Sequence, residues 1–136
     1  MTIEWSDRYD IGDVQLNHQH RHLFVIANQV LRATSHAELQ ECVEHLLQYI
    51  EQHFAYEEMM MRKAGFPDYE AHVHSHHVLS ARLQMLTRRA PGDETFKAEL
   101  EQLVTDWSLI HIPTEDAKLA EYLGYGETRE SDLSSR

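Results

Sequence analysis

Cysteine is nearly missing from this chain. Cys42 stands alone among 136 residues, which excludes an internal disulfide and any cysteine-rich zinc site. Positive charge is scarce as well. Twelve Lys and Arg face 23 Asp and Glu, for a formal net charge of −11. A surface that acidic repels phosphate backbones, so nucleic acid is excluded as a partner. No run of about eighteen apolar residues occurs, so no membrane span is expected. The opening Met1-Thr2-Ile3-Glu4-Trp5-Ser6-Asp7 lacks the basic-then-apolar order of a secretory signal. These absences together point to a cytoplasmic protein. What remains is ordinary for one globular domain: 42% hydrophobic and 26% charged residues. One count is not ordinary. The chain carries 11 histidines, nearly one for each Lys and Arg combined.

The few breaks divide the sequence into helical segments. Residues 1–15 read as an irregular arm carrying Trp5, Tyr9, Ile11 and Val14 around Gly12. From about Leu16 to Ala33, Leu16, Leu23, Ala27, Val30 and Leu31 recur at helical spacing. Ser35 and Glu38 have capping-box spacing and open a second helix, which Gly65 and Pro67 end. A third runs from about Asp68 to Arg89, with Arg88 and Arg89 placed in its last turn. After the Ala90-Pro91-Gly92 turn, Asp93 caps a fourth helix that Pro113 is expected to end. A short fifth piece, about Thr114 to Leu123, precedes a polar tail, 124–136, expected to be disordered. The expectation is an all-α protein: an up-down-up-down antiparallel four-helix bundle with an irregular N-terminal arm and a short C-terminal helix, in one domain over 1–123.

Phasing separates the histidines. His20 has Leu16, Leu23, Phe24 and Ala27 on its own face, and so points inward. His53 follows Leu46, Tyr49 and Ile50 on theirs, with Glu57 one turn further along. His72 and His76 stand at i, i+4 and continue into Leu79 and Leu83. His111 follows Leu100, Val104 and Trp107; Asp116 lies beyond Pro113, where the chain can fold a carboxylate back over the helix end. His18, His22, His36, His45, His74 and His77 fall off the stripes and read as surface residues, as does Glu58 beside Glu57. An inward carboxylate in a dry core is expensive unless paired or bound to metal. A lone inward histidine is usually a hydrogen-bonded core residue, but five on four helices, with two carboxylates, are explained together by a metal cluster.

Five imidazoles and two carboxylates are too many donors for one tetrahedral zinc, and too rich in nitrogen for calcium or magnesium. Two six-coordinate transition ions bridged by carboxylates fit, with iron or manganese matching the ligand softness. A ferritin-like site would need Glu-x-x-His motifs, and no Glu here has His three residues later.

Four segments carry a resemblance: Gln19-His20-Arg21-His22-Leu23-Phe24; His53-Phe54-Ala55-Tyr56-Glu57-Glu58; Gly65 to His72 with His76; and Trp107 to Ile112 with Asp116. Their order and spacing resemble the bacterial hemerythrins over nearly the whole chain. The resemblance implies two Fe ions with a bridging oxo or hydroxo group. One iron would take His72, His76 and His111, the other His20 and His53, with Glu57 and Asp116 bridging. It further implies reversible O2 binding in a pocket at Leu23, Phe54, Trp107, Ser108 and Ile112, and no enzymatic turnover. Two positions depart from the family: Ser108, where leucine is usual, and Asn17, where aspartate is common before the first ligand histidine. O2 storage, delivery or scavenging leads. An O2 or redox sensor and a di-iron oxidase or peroxidase are the alternatives; the absence of an output domain favours a stand-alone carrier.

Overall fold

The computed structural model describes residues 2–6, 9–89 and 94–124. Among these there is no strand. The elements are α1 (Val14–Arg32), α2 (His36–Ala64), α3 (Tyr69–Thr87), α4 (Glu94–Asp106), a π-helical stretch (Trp107–Asp116) and α5 (Ala117–Tyr122). α1 packs on α2, α2 on α3, α3 on α4, and α4 returns to α1. Short connections between packed neighbours make this the expected up-down-up-down bundle.

Local chemistry sets the helix ends. The Asp13 side chain accepts from the Leu16 N–H at 2.8 Å, so α1 starts two residues ahead of Leu16. Ser35 Oγ accepts from the Glu38 N–H at 3.2 Å and donates to the Glu38 carboxylate at 3.1 Å. Gly65 closes α2 with φ of 64°, a left-handed conformation that favours glycine, while the Phe66 N–H reaches back to the Met61 carbonyl. α1 ends under a lysine from another helix: Lys97 Nζ donates to the Ala33 carbonyl at 2.6 Å. The third helix is shorter than expected. It ends at Thr87, so Arg88 and Arg89 stand past its last turn, and Arg89 pairs across to Glu99 on α4. Asp93, the Ala90-Pro91-Gly92 turn and the tail beyond Gly124 lie outside the described residues.

Pro113 does not end the fourth helix. The chain continues through it as ten residues of π-helix and then as α5. A proline removes one N–H and crowds the preceding turn, and the wider i→i+5 turn accommodates both. Thr114 Oγ1 donates to the Ile110 carbonyl at 2.5 Å, so its hydroxyl supplies that acceptor with a donor inside the wide turn.

The arm is fastened at two points. Ile3 exchanges two hydrogen bonds with the Asn28 side chain, at 2.8 and 2.7 Å, and the Trp5 and Tyr9 rings pack on Phe24. Asn17 accepts from the Ile11 N–H and donates to Asp10. Its role is therefore to tie the arm to α1.

Apolar layers frame a polar one. Along α1, Leu16 belongs to a small cluster with Ile11 and Ala120, His20 comes next, and Leu23 enters the main core. Along α2 the order reverses: Tyr49 and Ile50 lie in the main core, then His53 and Glu57, then Met61 in a cluster with Phe66 and Leu119. Antiparallel helices thus bring their polar turns to one level, between the main core and the two smaller clusters.

Candidate metal centre

All buried polar side chains among the described residues are His20, His53, Glu57, His72, His76, Ser108, His111 and Asp116. Seven of them are the donors singled out from the sequence. The other six histidines are exposed.

Each helix delivers its donors by its own period. His53 and Glu57 on α2, and His72 and His76 on α3, are i, i+4 pairs on one helical face. His111 and Asp116 are five apart, which in an α-helix would set them about 140° apart. The π-helix removes that offset, because i and i+5 lie one above the other. His111 Nε2 therefore stands 3.2 Å from Asp116 Oδ1. The carboxylate reaches the centre by a wide turn, where a break and fold-back was expected.

Both carboxylates divide their oxygens between two groups of imidazoles. Glu57 Oε1 lies 2.9 Å from His72 Nε2 and 3.0 Å from His76 Nε2. Its Oε2 lies 3.4 Å from His20 Nε2 and 3.2 Å from His53 Nε2. Asp116 Oδ1 faces His72 at 3.0 Å as well as His111, and its Oδ2 faces His20 at 3.1 Å. Two donor sets result: Glu57, His72, His76, His111 and Asp116, and His20, His53, Glu57 and Asp116. In each set the donor atoms lie within 4.8 Å of one another. The sets are unequal, three imidazoles against two.

The donors fit a metal better than they fit one another. Nε2 of His20, His53 and His111, Oε2 of Glu57 and both oxygens of Asp116 are buried without a hydrogen-bond partner. They are close but misaligned, as lone pairs aimed at a common point would be. Neighbouring donors of a six-coordinate ion with ~2.1 Å bonds stand about 3 Å apart, the separation found here. The outer ring nitrogens agree. His53 Nδ1 donates to Gln19 Oε1 at 2.6 Å, His76 Nδ1 to Glu58 Oε2 at 3.1 Å and His111 Nδ1 to Glu115 Oε2 at 2.6 Å. Each bond turns an Nε2 lone pair inward and strengthens it as a ligand.

Burial and the two carboxylates compete at each imidazole. Burial opposes charge on His20 and His72, yet Asp116 and Glu57 outweigh it and push both up to about 9. At His111, burial is likewise outweighed by Asp116, Glu115 and Glu57, which raise it to about 10. Burial wins at His53, whose pKa is lowered. Burial disfavours charge on Glu57 and Asp116 too, but the surrounding imidazoles hold both well below the usual carboxylate range.

Three residues escaped the sequence reading. Glu58 reads from the sequence as a surface acid yet backs His76; Glu115 and Gln19 carry no periodicity signal of their own. The available signal was position: Glu115 is one turn beyond His111, and Gln19 and Glu58 adjoin His20 and Glu57.

The residues expected around a small ligand are buried. Phe54 lies flat on His76, Trp107 packs on Phe54 and Tyr49, and Tyr49 stacks on His53. Leu23 and Ile112 are fully enclosed. The Ser108 hydroxyl is buried with no partner.

A four-helix bundle with an inward layer of carboxylates and imidazoles is a metal-binding protein of the non-haem class. The family model "Hemerythrin HHE cation binding domain" matches residues 12–123, and the chain belongs to that family, a family of di-iron oxygen-binding domains. It is 29% identical to a bacteriohemerythrin of Stenotrophomonas maltophilia (strain R551-3) over 88% of this chain and 80% of the relative. It is 30% identical to a bacteriohemerythrin of Pseudomonas aeruginosa (strain LESB58) over 85% and 77% respectively. With a hemerythrin-like protein of Naegleria gruberi it shares 27% identity over 85% and 89%.

Proposed function

We propose that this chain binds O2 reversibly at two iron ions, serving oxygen storage, delivery or scavenging without catalytic turnover. The observation that carries the proposal is the pair of unequal donor sets sharing Glu57 and Asp116. His72, His76 and His111 would hold one iron and His20 and His53 the other, which leaves the second with room for an outside ligand. When bound, a di-iron pair supplies two electrons to O2 and recovers them on release. The chain's own part is to hold both ions, keep His53, His76 and His111 each in one tautomer through Gln19, Glu58 and Glu115, and exclude water. Leu23, Phe54, Trp107 and Ile112 supply the apolar wall. Glu58 and Glu115 are engaged with ligand imidazoles, which favours a carrier over an oxidase. Buried Cys42, and the lack among described residues of any helix long and apolar enough to cross a membrane, suit a cytoplasmic carrier.

The test is anaerobic reduction followed by air, with iron quantified and the visible spectrum followed. About two irons per chain and a band that appears with O2 and disappears on its removal are expected. Irreversible bleaching to a stable oxidised form would instead establish sensing or catalysis.

A further inference from the structure

One surface groove holds histidines that the buried centre does not use. It has a volume of about 330 Å³ and is lined by His18, Gln19, His22, Tyr49, Gln52 and His53 among others, with no formally charged residue in its lining. His53 is thus shared between the groove and the two-histidine donor set. His18 and His22 are exposed and stand one turn apart on α1, about 6 Å along its axis. An i, i+4 pair of imidazoles can hold one divalent transition-metal ion between them. From that rim the rings run inward: His22 lies 6.0 Å from Tyr49, and Tyr49 stacks on His53 at 5.0 Å and 17°. Gln19, between the two surface histidines in sequence, accepts the His53 Nδ1–H.

The groove over the other end of the centre is built differently. It is lined by His111, Glu115, Asp106 and Lys118 among others. Glu115 is already bonded to His111 and Ser75, Asp106 is ion-paired with Arg82, and no second histidine lines it.

We propose that His18 and His22 form a docking site for a divalent transition-metal ion, and that the ion passes down this groove to His53 and His20. The transfer is ligand exchange: surface imidazoles are released as buried ones take hold, with no change of oxidation state. The proposal rests on the reading of the buried centre as an iron site.

Two measurements test it, on the wild type, on a His18→Gln/His22→Gln variant and on a control His74→Gln/His77→Gln variant. In the first, iron-loaded protein is titrated with Zn2+ in equilibrium dialysis. In the second, metal-free protein is mixed anaerobically with Fe2+ and uptake is timed, with final iron content measured. The wild type and the control should bind an additional Zn2+ that the docking variant loses. The docking variant should also load iron several-fold more slowly, to the same final content. Retention of the additional Zn2+ by the docking variant, or loading at the wild-type rate, overturns the proposal while leaving the iron site standing. A wild type that takes up no iron overturns both.

Discussion

The Phe54 ring lies flat against the His76 imidazole, their centroids 3.8 Å apart and their planes 3° from parallel. With Glu58 holding Nδ1 from outside, His76 is fixed in both tilt and rotation. Phe54→Ala would remove the stack and open a cavity beside the centre, lowering stability by about 3–5 kcal/mol. Chemical denaturation measures that loss. Phe54→Leu keeps most of the volume and none of the stack; it should cost less stability and still weaken metal retention.

Glu115 accepts from both His111 and Ser75, and the His111 bond pulls its pKa down to about 2. Glu115→Gln keeps an acceptor and loses the charge. Partners of this kind are worth about 10–100-fold in metal affinity, so chelator competition should show a loss in that range. Glu58→Gln should act in the same direction through His76. Unchanged metal affinity in both would show that these acids only solvate the surface.

In the metal-free chain, His20 and His72 titrate near 9 and His111 near 10, against an ordinary 6.5. A raised pKa adds stability that is fully present below pH 6.5 and is lost as pH rises through 9 to 10. Glu115 has the opposite sign: its contribution is present above the ordinary 4.5 and is lost as pH falls through about 2. His53, lowered by burial, works against the other three histidines near neutrality. The metal-free melting temperature should therefore fall from neutral toward pH 10 and again toward pH 2. The protons on His20, His72 and His111 occupy the nitrogens that would bind metal. Loading near pH 7 should release about three protons per chain, readable with an indicator dye.

Ser108 places a buried, unpartnered hydroxyl in the apolar shell. Such a group can hold a water or donate a proton, both of which shorten the life of an O2 complex. Ser108→Ala removes the hydroxyl without crowding, and Ser108→Leu puts a larger apolar side chain in its place. Autoxidation of the iron-loaded protein should slow in both, by about tenfold if the hydroxyl supplies ~1.4 kcal/mol of barrier lowering. An autoxidation rate unchanged in both variants would clear Ser108 of any role.

The helices and the inward histidines were legible because both depend on one period. Leu16, His20 and Leu23 share a face in any α-helix, so burial of the leucines carries the histidine inward. Partners that meet across helices leave no such trace: nothing in a linear pattern connects Gln19 to His53, 34 positions away. The π-helix was hidden for a different reason. Pro113 is a stop signal by local rules; the wide turn accommodates it, and Leu119 and Ala120 beyond it pack into the bundle. Asn17, a departure from the family pattern, anchors the arm.

The wide turn from Trp107 to Asp116 also meshes the centre with the end of the bundle like a gear. α5 follows it directly, setting Leu119 against Met61 and Phe66, Ala120 against Leu16, and the Tyr122 hydroxyl on the carbonyls of Ala64 and Gly65. The phase that lays Asp116 beside His111 is also the phase that lays Leu119 in its pocket. Winding in this segment is therefore under a double lock: a substitution that unwound the wide turn would release the carboxylate and unseal the floor beneath it together.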